Sequence, residues 1–275
     1  MQKHKSKTGM TGVLTGILAA ILVLPTNVAA AGEATGWYFQ HSKNGEQMPP
    51  PPELAYLEQY DGYYADHRHS SMEDEDKVLY LTFDAGYENG NVAKVLDTLQ
   101  AENVPGAFFI LEGLVKHDPD LVQRMGDEGH LVCNHTASHR DMTKVDDIEE
   151  FRTELGRMER VYTELTGKKL SPYYRPPEGK ISKRSMAYAK ECGYSTIFWS
   201  FAYSDWDNQR QMDPEKAKEK ILSETHNGAV LLLHPTSATN AAILGDLIHA
   251  WREMGFRFGT LDELTGKDDH VCAKD

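Results

Sequence analysis

From Lys77 onward, short apolar runs alternate with longer segments in which apolar residues recur every three or four positions. The apolar runs, each predicted as a strand, lie at 78–83, 107–111, 130–133, 194–200, 229–233 and 256–258. Helical patterns lie at 92–99, 121–125, 146–166, 182–192, 214–226 and 240–254. This alternation predicts a parallel sheet with its helices outside. About seven such units suit a distorted (β/α)7-type barrel of the α/β class better than an open sheet.

Four polar residues follow these apolar runs directly or within a few positions: Asp84, His135, Asp205 and His234. In a parallel β/α barrel the active groups stand at the carboxyl ends of the strands. The four side chains are therefore expected to share one cleft.

His135 and His139 are four residues apart, close enough to bind one ion from a helical turn or a tight loop. Such a pair alone is weak evidence for a metal, but it follows a predicted strand among the other polar residues. Neutral imidazoles suit zinc, cobalt or nickel. The pair therefore predicts a divalent metal site, with Zn²⁺ as the expected ion and Co²⁺ as an alternative.

Five short motifs in chain order resemble those of the polysaccharide deacetylase (NodB-homology) family, carbohydrate esterase family 4. They are TFDAGYENG at 82–90, HTASH at 135–139, RPPEG at 175–179, DW at 205–206 and LLLH at 231–234. The resemblance covers roughly residues 75–266 and implies metal-assisted hydrolysis of an N-acetyl amide. A metal can polarise the carbonyl and acidify a water, and a base and an acid supply the remaining proton transfers.

The resemblance also implies a role for each matching residue. Asp84 would be the base, held ionised by Arg175, whose backbone is fixed by two following prolines. His234 would protonate the leaving amine, with Asp205 keeping its ring charged. The residues that would line the substrate pocket are Trp206, Leu232 and Pro176.

This chain departs from the family motif at Ala85, because the family has there the aspartate that is the third protein ligand of the metal. The expected site thus has two histidines plus water or substrate, with weaker affinity or a ligand recruited elsewhere. Glu88 and Asn89 lie just beyond, but a loop surface for Glu88 and a helix N-cap for Asn89 are the favoured interpretations. Ala202 also replaces a frequent family aspartate, which we interpret as a subfamily difference.

The motif TFDxGYENG, the sequence WSxAxxDW at 199–206 and an N-terminal extension with Trp and Pro are similar to one branch of the family. These are the delta-lactam-biosynthetic peptidoglycan N-acetylmuramic acid deacetylases of spore-forming bacteria. The resemblance implies deacetylation of muramic acid, leading to muramic δ-lactam in spore cortex. A lactyl carboxylate would need a cation, and Lys180 and Lys183 are candidates by their proximity to RPPEG, although solvated surface lysines are the favoured interpretation. Glu178 would repel the carboxylate if it faced the site, which counts against this substrate unless Glu178 turns away.

Three rival functions remain open. One is a deacetylase of N-acetylglucosamine in peptidoglycan or chitin-like oligomers. Another is a glycan-binding protein that lost activity with the third metal ligand. A peptidase or esterase is disfavoured because the sequence has no GxSxG nucleophile motif.

Residues 1–30 are predicted to be an export signal. Three lysines precede the apolar stretch 13–24, and small residues at 28–31 supply a cleavage site. The stretch is short for a membrane span, although an uncleaved anchor is an alternative. Removing the three lysines takes the net charge from −13 to about −16, which argues against nucleic acid and anionic membranes. The expected partner is a peptidoglycan glycan strand, with no integral membrane partner evident.

The rest of the chain divides into an irregular extension at 31–76, the deacetylase domain at 77–266 and a tail at 267–275. The extension is too aromatic for a linker and is expected to pack on the domain. The cysteines Cys133, Cys192 and Cys272 are odd in number and irregularly spaced, so no disulfide framework is predicted.

Overall fold

A computed structural model describes Met1 and residues 33–267, so the predicted signal, Cys272 and nearly all of the tail lie outside the described residues. The strands are β1 (Thr35–Gly36), β2 (Gly62–Tyr63), β3 (Lys77–Ala85), β4 (Ala107–Ile110), β5 (Leu131–Asn134), β6 (Tyr173–Tyr174), β7 (Lys180–Ile181), β8 (Ser195–Ile197), β9 (Ala229–Leu233) and β10 (Phe256–Phe258). The α-helices are α1 (Val92–Glu102), α2 (Glu112–His117), α3 (Pro119–Asp127), α4 (Ile148–Thr166), α5 (Lys183–Glu191), α6 (Pro214–Ser223), α7 (Ala238–Glu253) and α8 (Leu261–Thr265). No helix among the described residues is long and apolar enough to cross a membrane.

The main sheet is parallel throughout and curls into a distorted barrel, as predicted. Its order is β10-β3-β4-β5-β6-β8-β2, and β9 also pairs with β3. Beyond β8, Phe201 forms a parallel bridge to Leu231 in β9. Because β9 pairs with β3 from Leu79 to Phe83, this single bridge brings the sheet round into a ring.

The side chains of β3 alternate between two environments. Leu79, Leu81 and Phe83 join the apolar cluster that contains the buried faces of α1 and α7. Val78 and Tyr80 instead join a cluster contributed mainly by the other strands, which fills the barrel. Since side chains alternate along a strand, Thr82 and Asp84 continue the inward series. Asp84 therefore stands at the carboxyl mouth of the barrel.

The N-terminal extension contributes to this sheet. β2 pairs in parallel with β8, and β1 pairs antiparallel with β7. Trp37, Leu54 and Leu57 belong to a buried apolar cluster with Phe198 of the barrel. The extension is thus packed on the barrel, as expected from its aromatic content, and adds an edge strand that its sequence did not predict.

The largest difference from the predicted elements is the strand at 194–200, which ends at Ile197 as β8. The carbonyls of Ile197 and Phe198 accept hydrogen bonds from the Arg175 side chain. The chain then turns toward β9, where the Ser200 amide donates to the Val230 carbonyl. Helices α2 and α8, of six and five residues, were not predicted because such short elements show no clear periodicity.

Candidate active site

Asp84 and Arg175 form a buried ion pair at the mouth of the barrel. Arg175 Nη1 lies 2.8 Å from Asp84 Oδ1. Arg175 is 0% exposed, and it follows β6, on the far side of β4 and β5 from Asp84. The long arginine side chain therefore crosses the barrel to reach the carboxylate.

Every nitrogen of the Arg175 guanidinium has a partner. Nε donates to the Ile197 carbonyl at 3.0 Å, and Nη2 donates to the Phe198 carbonyl at 3.2 Å. Nη2 also donates to Thr82 Oγ1 at 2.8 Å, and that hydroxyl in turn donates to the Leu231 carbonyl. The group stacks 4.1 Å from the ring centre of Phe109. This network fixes the orientation of the charge presented to Asp84.

The ion pair sets the charge of Asp84. Burial by itself raises the pKa of this carboxyl, but the charge of Arg175 opposes burial, as do His135, His234 and the hydrogen bond from Arg175. The net result is a pKa below the ordinary aspartate value. Asp84 is therefore ionised at neutral pH and able to accept a proton.

The two histidines of the HTASH segment lie beside this pair. His135 Nδ1 donates to the Arg175 carbonyl at 2.8 Å, which leaves Nε2 with its lone pair, 3.6 Å from Asp84 Oδ2. Burial lowers the pKa of His135 to about 4, so the ring is neutral at pH 7. The exposed His139 ring lies 5.0 Å away, centre to centre. The structure thus brings the predicted histidine pair together.

A second ion pair is formed by His234 and Asp205. His234 follows β9, and its Nδ1 lies 2.7 Å from Asp205 Oδ1, while the His234 amide donates to Asp205 Oδ2 at 2.8 Å. Burial lowers the pKa of His234, but the hydrogen bond and charge of Asp205, with a contribution from Asp84, outweigh it. The pKa of His234 lies above its ordinary value, so the ring can carry a proton near neutral pH.

Asp205 is 1% exposed and depends on a partner that the sequence did not predict. Asn240, in the first turn of α7, donates from Nδ2 to Asp205 Oδ2 at 2.6 Å and to the His234 carbonyl at 3.1 Å. Tyr203 donates its hydroxyl to Asn240 Oδ1. Asn240 therefore holds both members of the pair.

The three residues predicted to line the substrate pocket differ in exposure. Trp206 is 61% exposed and presents its ring to His234 at 6.4 Å between centres. Leu232 and Pro176 are buried, on β9 and directly after Arg175 respectively. Trp206 thus exposes its ring at the rim of the site, while Leu232 and Pro176 are buried in the wall of the barrel.

Comparison with known proteins identifies the family to which this fold belongs. A family model described as polysaccharide deacetylase matches residues 71–197. The peptidoglycan-N-acetylmuramic acid deacetylase PdaA of Bacillus subtilis is 36% identical over 237 residues, which span 86% of this chain and 88% of PdaA. The chain belongs to the polysaccharide deacetylase family.

Solved structures agree with this membership. The structure of Bacillus subtilis PdaA, a family 4 carbohydrate esterase, matches with a TM-score of 0.80 over 86% of this chain and 98% of that one. The peptidoglycan-N-acetylglucosamine deacetylase PgdA of Listeria monocytogenes is 33% identical over 191 residues, 70% of this chain and 39% of PgdA. The predicted family and barrel are therefore confirmed.

Family deacetylases use a divalent metal, and the residues present here fit one only in part. Within residues 33–267 no group of three or more His, Cys, Asp or Glu side chains is arranged to hold an ion. Ala85 is fully buried in the apolar layer against the helices. His135 and His139 offer two neighbouring imidazoles, so the fit is to an ion with two protein ligands.

The residues beyond Ala85 have other partners. Glu88 accepts from the amides of Gly90 and Val92 at the start of α1, so its carboxylate serves the helix terminus. Asn89 donates to the Thr236 carbonyl. The N-cap position belongs to Asn91, so the N-cap prediction for Asn89 was wrong by two residues.

The two lysines considered for a substrate carboxylate also have partners. Lys180 Nζ lies 2.8 Å from Glu178 and 3.8 Å from Asp141. Lys183 Nζ lies 5.3 Å from the ring centre of Tyr56, on the extension. Glu178 is exposed and has a φ of 56°, and its carboxylate pairs with Lys180. Lys180 is thus paired with a carboxylate, whereas the exposed Lys183 has an aromatic ring as its neighbour.

Proposed function

We propose that this deacetylase removes the N-acetyl group of N-acetylmuramic acid in peptidoglycan. The proposal rests on two neighbouring ion pairs, Asp84 with Arg175 and His234 with Asp205. They are close enough that the charge of Asp84 raises the pKa of His234. Amide hydrolysis needs a base and an acid held in opposite protonation states. The similarity to PdaA supports the muramic substrate.

In this proposal Asp84 accepts a proton from the attacking water, and Arg175 keeps that carboxylate ionised and aimed. His234 donates its proton to the departing amine nitrogen, and Asp205 holds the ring by Nδ1 so that Nε2 faces the substrate. His135 and His139 would hold a divalent ion such as Zn²⁺ or Co²⁺. Such an ion, when bound, polarises the acetyl carbonyl and lowers the pKa of water. Trp206 would cover the sugar at the rim, while Leu232 and Pro176 would shape the wall beneath the acetyl group.

N-acetylglucosamine is the second candidate substrate. It is favoured by the pairing of Lys180 with Glu178, since muramic acid differs by a lactyl carboxylate that would need a cation. The similarity to PgdA of Listeria monocytogenes points the same way. Closure of the freed amine on the lactyl carboxylate, giving a δ-lactam, belongs to the first candidate only.

The proposed substrate implies where in the cell the protein acts. Peptidoglycan lies outside the cytoplasmic membrane, so residues 1–30 would act as an export signal. Residues 31–76 would extend the domain at 77–266, because β2 already pairs with β8. The few residues after 266 would be a tail.

The test is acetate release by the chelator-stripped and zinc-reconstituted protein. One substrate is peptidoglycan glycan freed of peptides, and the other is an N-acetylglucosamine oligomer. Release from the muramic glycan alone, restored by zinc and absent in Asp84→Asn, is the expected result. Release from the oligomer alone would transfer the assignment to N-acetylglucosamine. Zinc binding without release from either glycan would indicate a glycan-binding protein.

A further inference from the structure

The HTASH segment holds its backbone in an uncommon conformation. Thr136 and His139 have φ values of 72° and 58°, in the left-handed region that residues with a side chain seldom adopt. Such a conformation is strained and persists only where its surroundings enforce it. The contacts of this segment therefore decide where the His139 ring stands.

Two of those contacts are local. The Thr136 amide donates to Asn134 Oδ1 at 2.9 Å, and the His139 amide donates to Thr136 Oγ1 at 2.8 Å. They shape the turn and connect it to Asn134, the last residue of β5, whose Nδ2 donates to the Leu155 carbonyl on α4 at 3.1 Å.

Besides the Glu112 amide, which donates to the Ala137 carbonyl at 3.3 Å, Glu154 on α4 holds the residue next to His139. Its Oε1 accepts from both the amide and the hydroxyl of Ser138, at 2.7 Å and 2.6 Å. Ser138 directly precedes His139. A carboxylate receiving two hydrogen bonds from one residue fixes both the position and the rotation of that residue.

Stability alone gives little reason for this carboxylate. Glu154 is 5% exposed, and its only cationic neighbour among the described residues is Arg157, with Nη1 at 3.4 Å. A buried carboxylate with a single cation at 3.4 Å carries a desolvation penalty that a buried apolar residue does not. What the Glu154 carboxylate contributes is the pair of hydrogen bonds that it accepts from Ser138.

We propose that Glu154 is a positioning residue that holds His139 ready for the metal ion. The inference rests on the proposed function, since it takes His135 and His139 as the protein ligands. With Ala85 in place of a carboxylate, the protein gives the ion two imidazoles. Because residues 33–267 supply no third ligand to compensate for a misplaced ring, the affinity depends on how rigidly the turn is held.

The experiment measures zinc affinity of the full-length protein by competition with a chromophoric chelator, for wild type, Glu154→Gln and Glu154→Leu. The matched control is Glu164→Leu, at an exposed glutamate on the same helix. We expect Glu154→Leu, which removes the acceptor, to weaken zinc binding about 10- to 100-fold, as loss of an outer partner of a metal ligand does. Glu154→Gln keeps an oxygen that can accept from Ser138 and should weaken binding less, and the control should bind like wild type. Saturating zinc should restore the acetate-release rate of Glu154→Leu.

Two readouts separate positioning from folding. The melting temperature of the metal-free variants reports folding, and Ser138→Ala, which loses only the hydroxyl bond, should weaken zinc binding less than Glu154→Leu. A lower melting temperature of Glu154→Leu with unchanged zinc affinity would overturn the proposal, as would unchanged affinity in both Glu154→Leu and Ser138→Ala. If wild type binds zinc but releases no acetate, the proposed function fails, while the zinc affinities still decide the role of Glu154.

Discussion

Replacing Arg175 with methionine tests how the site keeps Asp84 charged. Methionine fills much of the same space, but it leaves the Asp84 carboxylate buried without a counter-charge and removes the donor to the Ile197 and Phe198 carbonyls. Breaking a buried pair by removing one partner costs about 3–5 kcal/mol. For a domain of this size, each kcal/mol lowers the melting temperature by about 2–4 °C, so we expect a fall of about 6–20 °C at neutral pH.

The pH dependence of the lower melting temperature of Arg175→Met identifies its cause. In wild type the pKa of Asp84 is depressed, so its contribution to stability is present above the unfolded-state pKa and is lost as pH falls through the folded-state value. Without Arg175, burial dominates and raises the pKa of Asp84. The variant then gains stability as acid neutralises the carboxylate, and its deficit against wild type should shrink between pH 7 and pH 5.

The assay is thermal unfolding of chelator-treated protein from pH 5 to pH 8. The double variant Asp84→Asn with Arg175→Met should recover part of the loss, because the unpaired charge is gone. Arg160→Met, at an exposed position on α4, controls for loss of an arginine in general. A deficit that stays constant with pH, and that Asp84→Asn does not relieve, would refute the argument that Arg175 acts by sustaining the charge.

Three further predictions concern the acid, its support and the metal. Asp205→Asn removes the carboxylate that raises the pKa of His234 against the effect of burial, so the pH above which acetate release declines should move down by about 1–3 pH units. A decline at the same pH as in wild type would contradict His234 as the acid. Asn240→Leu should lower the free energy of unfolding in urea by about 1–3 kcal/mol, because Asp205 loses a buried donor; no change would show that water replaces it. Ala85→Asp should melt lower than wild type without metal, since the position is fully buried, yet show a larger zinc-induced rise in melting temperature; an equal rise would mean that the new carboxylate does not reach the ion.

The fold and the meeting of the site residues follow from regularities that a sequence displays. Alternating apolar runs and helical patterns predict a parallel barrel, and strands in such a barrel end at the same rim. Asp84 is the penultimate residue of β3, and His135 and His234 come directly after β5 and β9, so the topology brings the three together. The sequence therefore predicted where these groups lie without any knowledge of their contacts.

The supporting residues could not be predicted in this way. Thr82 looks like an ordinary strand residue, Asn240 like a polar residue of a first helical turn, and Glu154 like one of several charges on a long helix. What distinguishes them is burial beside a hydrogen-bond partner distant in the sequence: Arg175, Asp205 and Ser138 respectively. Only the unusually apolar neighbours of Glu154, Leu155 and Phe151 on the same helix, hint that its face is buried.

The same energetics bear on whether the loss of the third ligand leaves a binding protein. A sugar-binding surface needs exposed aromatic faces such as Trp206 and has no use for a charge at the bottom of the cleft. Arg175 and Asp205 are nevertheless almost fully buried, and replacing a buried ion pair by apolar residues of the same size is often neutral or stabilising. The two pairs also shift a pKa each in the direction that the proposed chemistry requires, downward for Asp84 as the proposed base and upward for His234 as the proposed acid. A protein that only bound a glycan would gain nothing from desolvating these charged side chains. The site is therefore better explained by proton transfer than by binding alone.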